Sequence, residues 1–182
     1  MLKRHIAFGC FACVLGLATW SHAQAIPTAS RTGGTIQVGA GGTFVSPDYT
    51  TETAKGFAVY GDYDFSRHIG AEAELHFANI STSNGIGENT YLIGPRFTYR
   101  HRRLAFYGKV LFGIGQIDFK PPTFVASTSS YGVYAIGGGL DVRATHHINV
   151  RAIDFELQKW PGFAPNGLSP TAITVGVAYV FH

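Results

Sequence analysis

Cysteine is missing from all but the start of the chain. Of 182 residues only Cys10 and Cys13 carry a thiol. Both lie in an apolar N-terminal stretch, so residues 26–182 can form no disulfide, thiol nucleophile or cysteine-bound metal site. Charge is scarce as well: 14% of residues are Asp, Glu, Lys or Arg, against about 25% in ordinary soluble domains. Together with 14% aromatics, that composition excludes a disordered chain. After Ala25 no apolar run approaches the roughly 20 residues of a membrane-spanning helix. Nor does any long stretch repeat apolar residues at helical spacing. The length leaves room for one domain and excludes a large multidomain enzyme.

The N-terminus has its own pattern. Lys3, Arg4 and His5 precede an apolar stretch from Ile6 to Trp20, followed by the small-residue site Ala23-Gln24-Ala25. This order predicts a secretory signal over residues 1–25, cleaved after Ala25, with residues 26–33 as a short periplasmic segment. The Cys10 and Cys13 pair falls inside that signal and carries no redox chemistry into the product. Two of the 14 Lys and Arg leave with it, so 12 remain against 11 Asp and Glu, and the formal charge falls from +3 to about +1 with neutral His. A nearly neutral domain has no electrostatic case for a nucleic-acid partner.

What the rest of the chain has is alternation. In residues 69–80 one face carries Ile69, Ala71, Ala73, Leu75 and Phe77, and the other Gly70, Glu72, Glu74, His76 and Ala78. Residues 90–100 repeat the pattern, with Tyr91, Ile93, Pro95, Phe97 and Tyr99 against Thr90, Leu92, Gly94, Arg96, Thr98 and Arg100. A period of two is the signature of a strand with two unlike faces. The same reading places eight strands near 34–45, 55–65, 69–80, 90–100, 104–117, 131–144, 148–160 and 171–182. Longer connections at Ser46–Ala54, Ser81–Asn89, Asp118–Ser130 and Pro161–Ser169 alternate with tight turns at Ser66–His68, His101–Arg103 and Thr145–His147. Residues 34–182 therefore read as an all-β, eight-stranded antiparallel up-and-down barrel, with long connections at one end and short turns at the other.

Polarity decides the solvent. A soluble barrel that binds a lipophilic ligand is apolar inside, whereas a membrane barrel turns its apolar band to lipid. The bulky apolar residues share faces, while the opposite faces mix Gly39 and Gly41 with Asp62, Asp64, Glu72, Glu74, Arg96, Arg100, Lys109, Asp141 and Arg143. Small and charged groups suit the narrow interior of an eight-stranded barrel. Aromatics at strand ends, Phe44, Phe57, Tyr63, Phe65, Tyr91, Tyr99, Tyr131, Trp160, Tyr179 and Phe181, suit an interfacial belt. One strand breaks parity: in 148–160, Asp154, Glu156 and Gln158 share a face, but Arg151 falls on the other. Either Arg151 snorkels at the interface or a bulge resets the register.

The runs Asp62 to Glu74, Leu92 to Phe97 and Gly137 to Arg143 resemble the bacterial outer-membrane β-barrel domain of the small OmpA and OmpX kind. The likeness spans residues 34–182. It implies a transmembrane barrel in the cell outer membrane, in contact with outer-membrane lipids and lipopolysaccharide and delivered by the barrel assembly machinery. No catalytic or ligand residues follow from it, and no cell-wall tether of the full-length OmpA kind is expected. Such barrels end on an aromatic that the assembly machinery reads. Here Phe181 is penultimate, with Val175, Val177 and Tyr179 at the alternate spacing.

Three functional readings follow. The first is an integral outer-membrane protein with a structural or surface-interaction role, its lumen closed by the charges named above and its long connections free to meet an extracellular ligand. The second is a soluble periplasmic barrel for a lipophilic ligand. The third is a lipid-modifying hydrolase, for which the only material is a Glu74 and His76 pair plus a loop serine. A hairpin centred on Gly85 would set Glu74 opposite Arg96, with Glu72 diagonal to it. His146 and His147 are adjacent on a turn and lack a carboxylate to complete a metal shell. No enzyme, cofactor or metal is therefore expected. Asp48, Glu52, Glu88 and Asp118 fall in the long connections and are expected to face outward, while Arg67, Arg102 and Arg103 make the short-turn end cationic, towards the periplasm.

Overall fold

A computed structural model describes residues 34–48, 52–79, 86–119, 127–164 and 167–181. The signal and the 26–33 segment expected from sequence lie outside these residues. Eight strands run in chain order: β1 Thr35–Ser46, β2 Ala54–Asp64, β3 Ile69–Asn79, β4 Ile86–His101, β5 Leu104–Phe119, β6 Ser127–Arg143, β7 Ile148–Lys159 and β8 Thr171–Phe181. Each pairs antiparallel with its neighbours, and β1 pairs with β8 to close the barrel. Closure leaves no unpaired sheet edge. The strands have 11 to 17 residues, enough for the roughly 9–11 that a tilted strand needs to cross a bilayer. Among the described residues there is no helix.

The alternation seen in the sequence becomes an inside and an outside. Val38, Phe57, Ile93, Phe112, Ile136, Leu157 and Val177 point outward and are about half exposed, while Asp62, Glu72, Glu74, Arg96, Lys109 and Asp141 are buried in the interior. This polarity is the reverse of what a soluble carrier of lipophilic ligands requires, so that reading is overturned.

The parity break in β7 is a bulge. Leu140 pairs with Ile153 and Asp141 with Arg151, so Ala152 is the extra residue, and the pairing with β8 shifts between Arg151 and Asp154. Both Arg151 and Asp154 consequently turn inward and are buried. Of the two possibilities left by the sequence, snorkelling is thus excluded.

Other expectations need correction. The β3–β4 hairpin sets Glu74 opposite Leu92 and Arg96 opposite Gly70, so each β3 residue pairs four positions earlier on β4 than a hairpin centred on Gly85 would give. β4 starts at Ile86 and β6 at Ser127, so strand occupies part of what composition marks as long connections. Trp160, assigned to the interfacial belt by residue type, is wholly buried. It packs inside with Leu92, Leu111, Ile117, Val133, Ala135 and Leu168. The interior is accordingly zoned, with charges at mid-height and an apolar layer towards the long-connection end.

Two of the short turns are built alike. Ser66 Oγ accepts the Ile69 amide at 3.1 Å, and Thr145 Oγ1 accepts the Ile148 amide at 3.1 Å. The histidine before each isoleucine sets its Nδ1 against a backbone carbonyl, His68 with Thr98 at 3.1 Å and His147 with Val180 at 3.2 Å. The order hydroxyl, any residue, His, Ile is repeated in the sequence, where it is a readable turn signal.

Candidate functional site

The mid-height charges form one connected lattice across the barrel. β3 brings Glu72 and Glu74, β4 brings Arg96, β5 brings Lys109, β6 brings Asp141 and β2 brings Asp62, all on inward parity. The β7 bulge adds Arg151 and Asp154. Arg96 donates from Nη1 to Glu72 Oε2 at 3.0 Å and from Nη2 to Asp141 Oδ2 at 2.6 Å, and also pairs with Asp62. Arg151 reaches Glu72 at 2.9 Å, Asp154 at 3.1 Å, Asp62 at 3.2 Å and Asp141 at 3.3 Å. Its guanidinium lies 3.6 Å from the centroid of the Tyr60 ring, and that of Arg96 lies 3.8 Å from the centroid of Tyr107. The planar fork of arginine suits this combination of bidentate bonding and ring stacking.

Lys109 sits in a cage of carboxylates. Its Nζ is 2.7 Å from Asp154, 3.2 Å from Glu72 and 3.2 Å from Glu156, and it pairs with Glu74. Glu72, Glu74 and Asp154 come close enough to one another to suggest a cation site, but the Lys109 ammonium already sits among them. Polar side chains extend the lattice at both ends. Towards the turns, Gln37 donates to Asp141 at 3.2 Å and accepts from Asn149 at 2.8 Å. Towards the long connections, Gln158 donates to Glu156 at 2.7 Å and accepts from Trp160 Nε1 at 3.1 Å.

Of the charges singled out from sequence, Asp62, Glu72, Glu74, Arg96, Lys109 and Asp141 meet in this lattice. Asp64 and Arg100 form a separate, partly exposed pair below it, with Arg100 also donating to the Arg67 carbonyl at 2.6 Å. Arg143 is exposed at the turn end. Sequence reasoning left out Arg151, Asp154, Glu156 and Gln37. The first three stood in the one strand whose parity conflict was visible, so the signal existed there. For Gln37, inward parity with Gly39 and Gly41 was the available clue.

His76 Nε2 lies 2.9 Å from Glu74 Oε1, both buried. Glu88, expected to face outward from a loop, is instead within β4 and points inward, 4% exposed. Among the described residues neither of its carboxylate oxygens has a hydrogen-bond partner, and the same holds for His76 Nδ1 and Thr90 Oγ1.

A closed barrel with an oily exterior and an ion-paired interior defines a transmembrane β-barrel. The sequence matches the outer membrane protein beta-barrel domain family over residues 10–181, and the chain belongs to that family. It is accordingly a protein of the bacterial outer membrane. The fold is similar to that of Neisserial surface protein A, with a TM-score of 0.67 and 9% identity over 82% of this chain and 97% of that one. It is similar to Ail, the attachment invasion locus protein of Yersinia pestis in complex with the heparin analogue sucrose octasulfate, with a TM-score of 0.58 and 17% identity over 81% and 97%. OprG from Pseudomonas aeruginosa gives a TM-score of 0.54 and 13% identity over 83% and 97%. At these identities the likeness concerns the fold alone. No curated protein matches the sequence.

Proposed function

We propose that this barrel is a non-enzymatic, structural and surface-interaction protein of the outer membrane, closed to solutes by its interior ion pairs. The lattice of Arg96, Lys109 and Arg151 with six carboxylates carries this reading. It spans the lumen from β2 to β7, and the Trp160 layer lies over it. Opening a path through the lattice would separate buried ion pairs, each costing several kcal/mol. Bilayer recordings of the purified protein test this: the wild type should give no steady conductance, and Glu74→Ala, which removes one wall of the Lys109 cage, should admit ions. Well-resolved channels in the wild type would overturn the reading.

The same proposal covers delivery and exposure. Residues 1–25 would direct export and be cleaved after Ala25, and the outward row Val175, Val177, Tyr179 and Phe181 would present the barrel to the assembly machinery. Outer-membrane lipids and lipopolysaccharide would cover the apolar band. A hydrolase reading has little support, because His76 and Glu74 are buried within the barrel, away from the lipid-facing side. The sulfated ligand of the Ail complex does not carry over either. A polyanion needs clustered cations, and in the sequence the long-connection end carries Asp48, Glu52 and Asp118 beside Lys55, Lys120 and Lys159, with no excess of positive charge. Adhesion assays comparing cells that express the wild type with cells whose long connections are replaced by Gly/Ser linkers test the surface role. Equal adhesion would remove it.

A further inference from the structure

The buried charges of the interior do not balance. Among the described residues Asp62, Glu72, Glu74, Glu88, Asp141, Asp154 and Glu156 are seven buried acids, against three buried bases, Arg96, Lys109 and Arg151. His76 adds at most one positive charge. Six of these acids contact the three bases or one another's partners, but Glu88 does not: among the described residues both its oxygens are unpartnered, and the residue is only 4% exposed. An ionised carboxylate in that position costs far more than an exposed one unless a cation or proton joins it.

The groups around Glu88 favour a metal cation. His76 and Thr90 are directly paired across β3 and β4, and Glu88 shares the inward face of β4 two residues from Thr90. Glu88 lies within electrostatic range of the His76 ring and of Asp48 at the long-connection end. In the neutral imidazole, with Nε2–H donated to the Glu74 carboxylate at 2.9 Å, Nδ1 carries a lone pair, and among the described residues Nδ1 has no partner. A lone pair and a carboxylate on neighbouring positions cannot bond to each other without a proton or a cation between them, and one dication can bind both. A histidine whose second nitrogen is held by a carboxylate is also the usual support of a metal-bound imidazole. An imidazole nitrogen with carboxylate oxygen suits a first-row transition-metal ion better than calcium or magnesium, which call for all-oxygen shells.

We propose that His76 Nδ1 and the Glu88 carboxylate bind one transition-metal dication inside the barrel, above the Lys109 cage. Glu74 holds the imidazole in place, and Thr90 Oγ1 bonds to a water on the ion. Asp48 draws the cation in from the long-connection end. Neither the lumen closure nor the surface role depends on this site.

Zn2+ binding to the full barrel, purified folded in detergent and stripped with chelator, tests the proposal by calorimetry. One saturable zinc per barrel is expected, weakened in Glu88→Gln and in His76→Gln by more than the about 10–100-fold that loss of an outer-shell partner costs. The double variant His146→Asn/His147→Asn, at the opposite end, should bind zinc like the wild type. Folding of each variant is read from its heat-modifiable gel mobility, and zinc should raise the Tm of the wild type but not of Glu88→Gln. The proposal is overturned if the wild type binds no zinc saturably, if Glu88→Gln and His76→Gln both bind as tightly as the wild type, or if the turn double variant abolishes binding. Should one single variant fail to fold, the other decides.

Discussion

Removing the Lys109 ammonium is the sharpest perturbation of the interior. In Lys109→Met an unbranched side chain one atom shorter is kept and the charge is lost, leaving Glu72, Glu74, Asp154 and Glu156 around an apolar methyl. Glu72 and Asp154 still reach Arg151, at 2.9 and 3.1 Å, but among the described residues Glu156 keeps only the neutral Gln158 amide at 2.7 Å, and Glu74 keeps the His76 imidazole at 2.9 Å and a long 4.0 Å contact to Arg151. Stranding one partner of a buried pair costs about 3–5 kcal/mol. With Glu156 left without a cation and Glu74 left mainly to His76, we expect a loss of about 3–5 kcal/mol, a large part of the 5–15 kcal/mol that holds a typical domain folded. Urea unfolding in lipid vesicles measures it, followed through Trp160, the one tryptophan in residues 26–182. Adding Glu74→Gln to Lys109→Met should recover about 1–2 kcal/mol, because the uncharged amide costs less to bury than the carboxylate. A loss below about 1 kcal/mol for Lys109→Met, or no recovery in the double variant, would refute the electrostatic account of the lattice.

Three further outcomes are expected. Deleting Ala152 removes the bulge and forces either Arg151 or Asp154 and its successors onto lipid, so the heat-modifiable folded form should be lost; an intact folded band would contradict this. In Gly115→Leu the new side chain meets the Trp160 ring, since a Cβ there would already lie 2.6 Å from Trp160 Cζ2. Overpacking of this kind costs about 1–3 kcal/mol and should red-shift Trp160 emission as the ring is displaced. Phe181→Ala removes an outward ring that packs edge-on against Tyr179 at 4.8 Å; the folded fraction in the outer membrane should fall, and an unchanged fraction would remove Phe181 from the assembly signal.

The strand pattern was legible because lipid and lumen make opposite demands on alternate residues, and every strand carries that contrast. What misled the reading was residue type set against parity. Trp160 follows Asp154, Glu156 and Gln158 at even spacing and so belongs inside, yet tryptophan's general preference for interfaces pointed outward. Glu88 likewise shares parity with Thr90, Leu92 and Arg96, but the Ser, Asn and Gly content of residues 81–89 read as loop. Cross-strand partners lay further from view. Glu72 is diagonal to Arg96 both in the register read from sequence and in the structure, but the residue opposite Arg96 is Gly70 and not Glu74, and nothing in the composition of either strand sets that offset.

The β7 bulge shows how the lattice and the membrane are satisfied together. With regular pairing, keeping Asp154, Glu156 and Gln158 inside would put Arg151 on the lipid face, at about 2–4 kcal/mol near the bilayer midplane. It would also take from the interior a guanidinium that contacts Asp62, Glu72, Asp141 and Asp154. Seven buried acids would then face two buried bases. One extra residue, Ala152, costs a local break in the ladder and returns Arg151 to the lumen, while Ala152 and Ile153, the two residues that pass in succession on the outer side, are both apolar and suit lipid. The choice of small and oily residues at those two positions, between an arginine and an aspartate, is what makes the irregularity compatible with a bilayer.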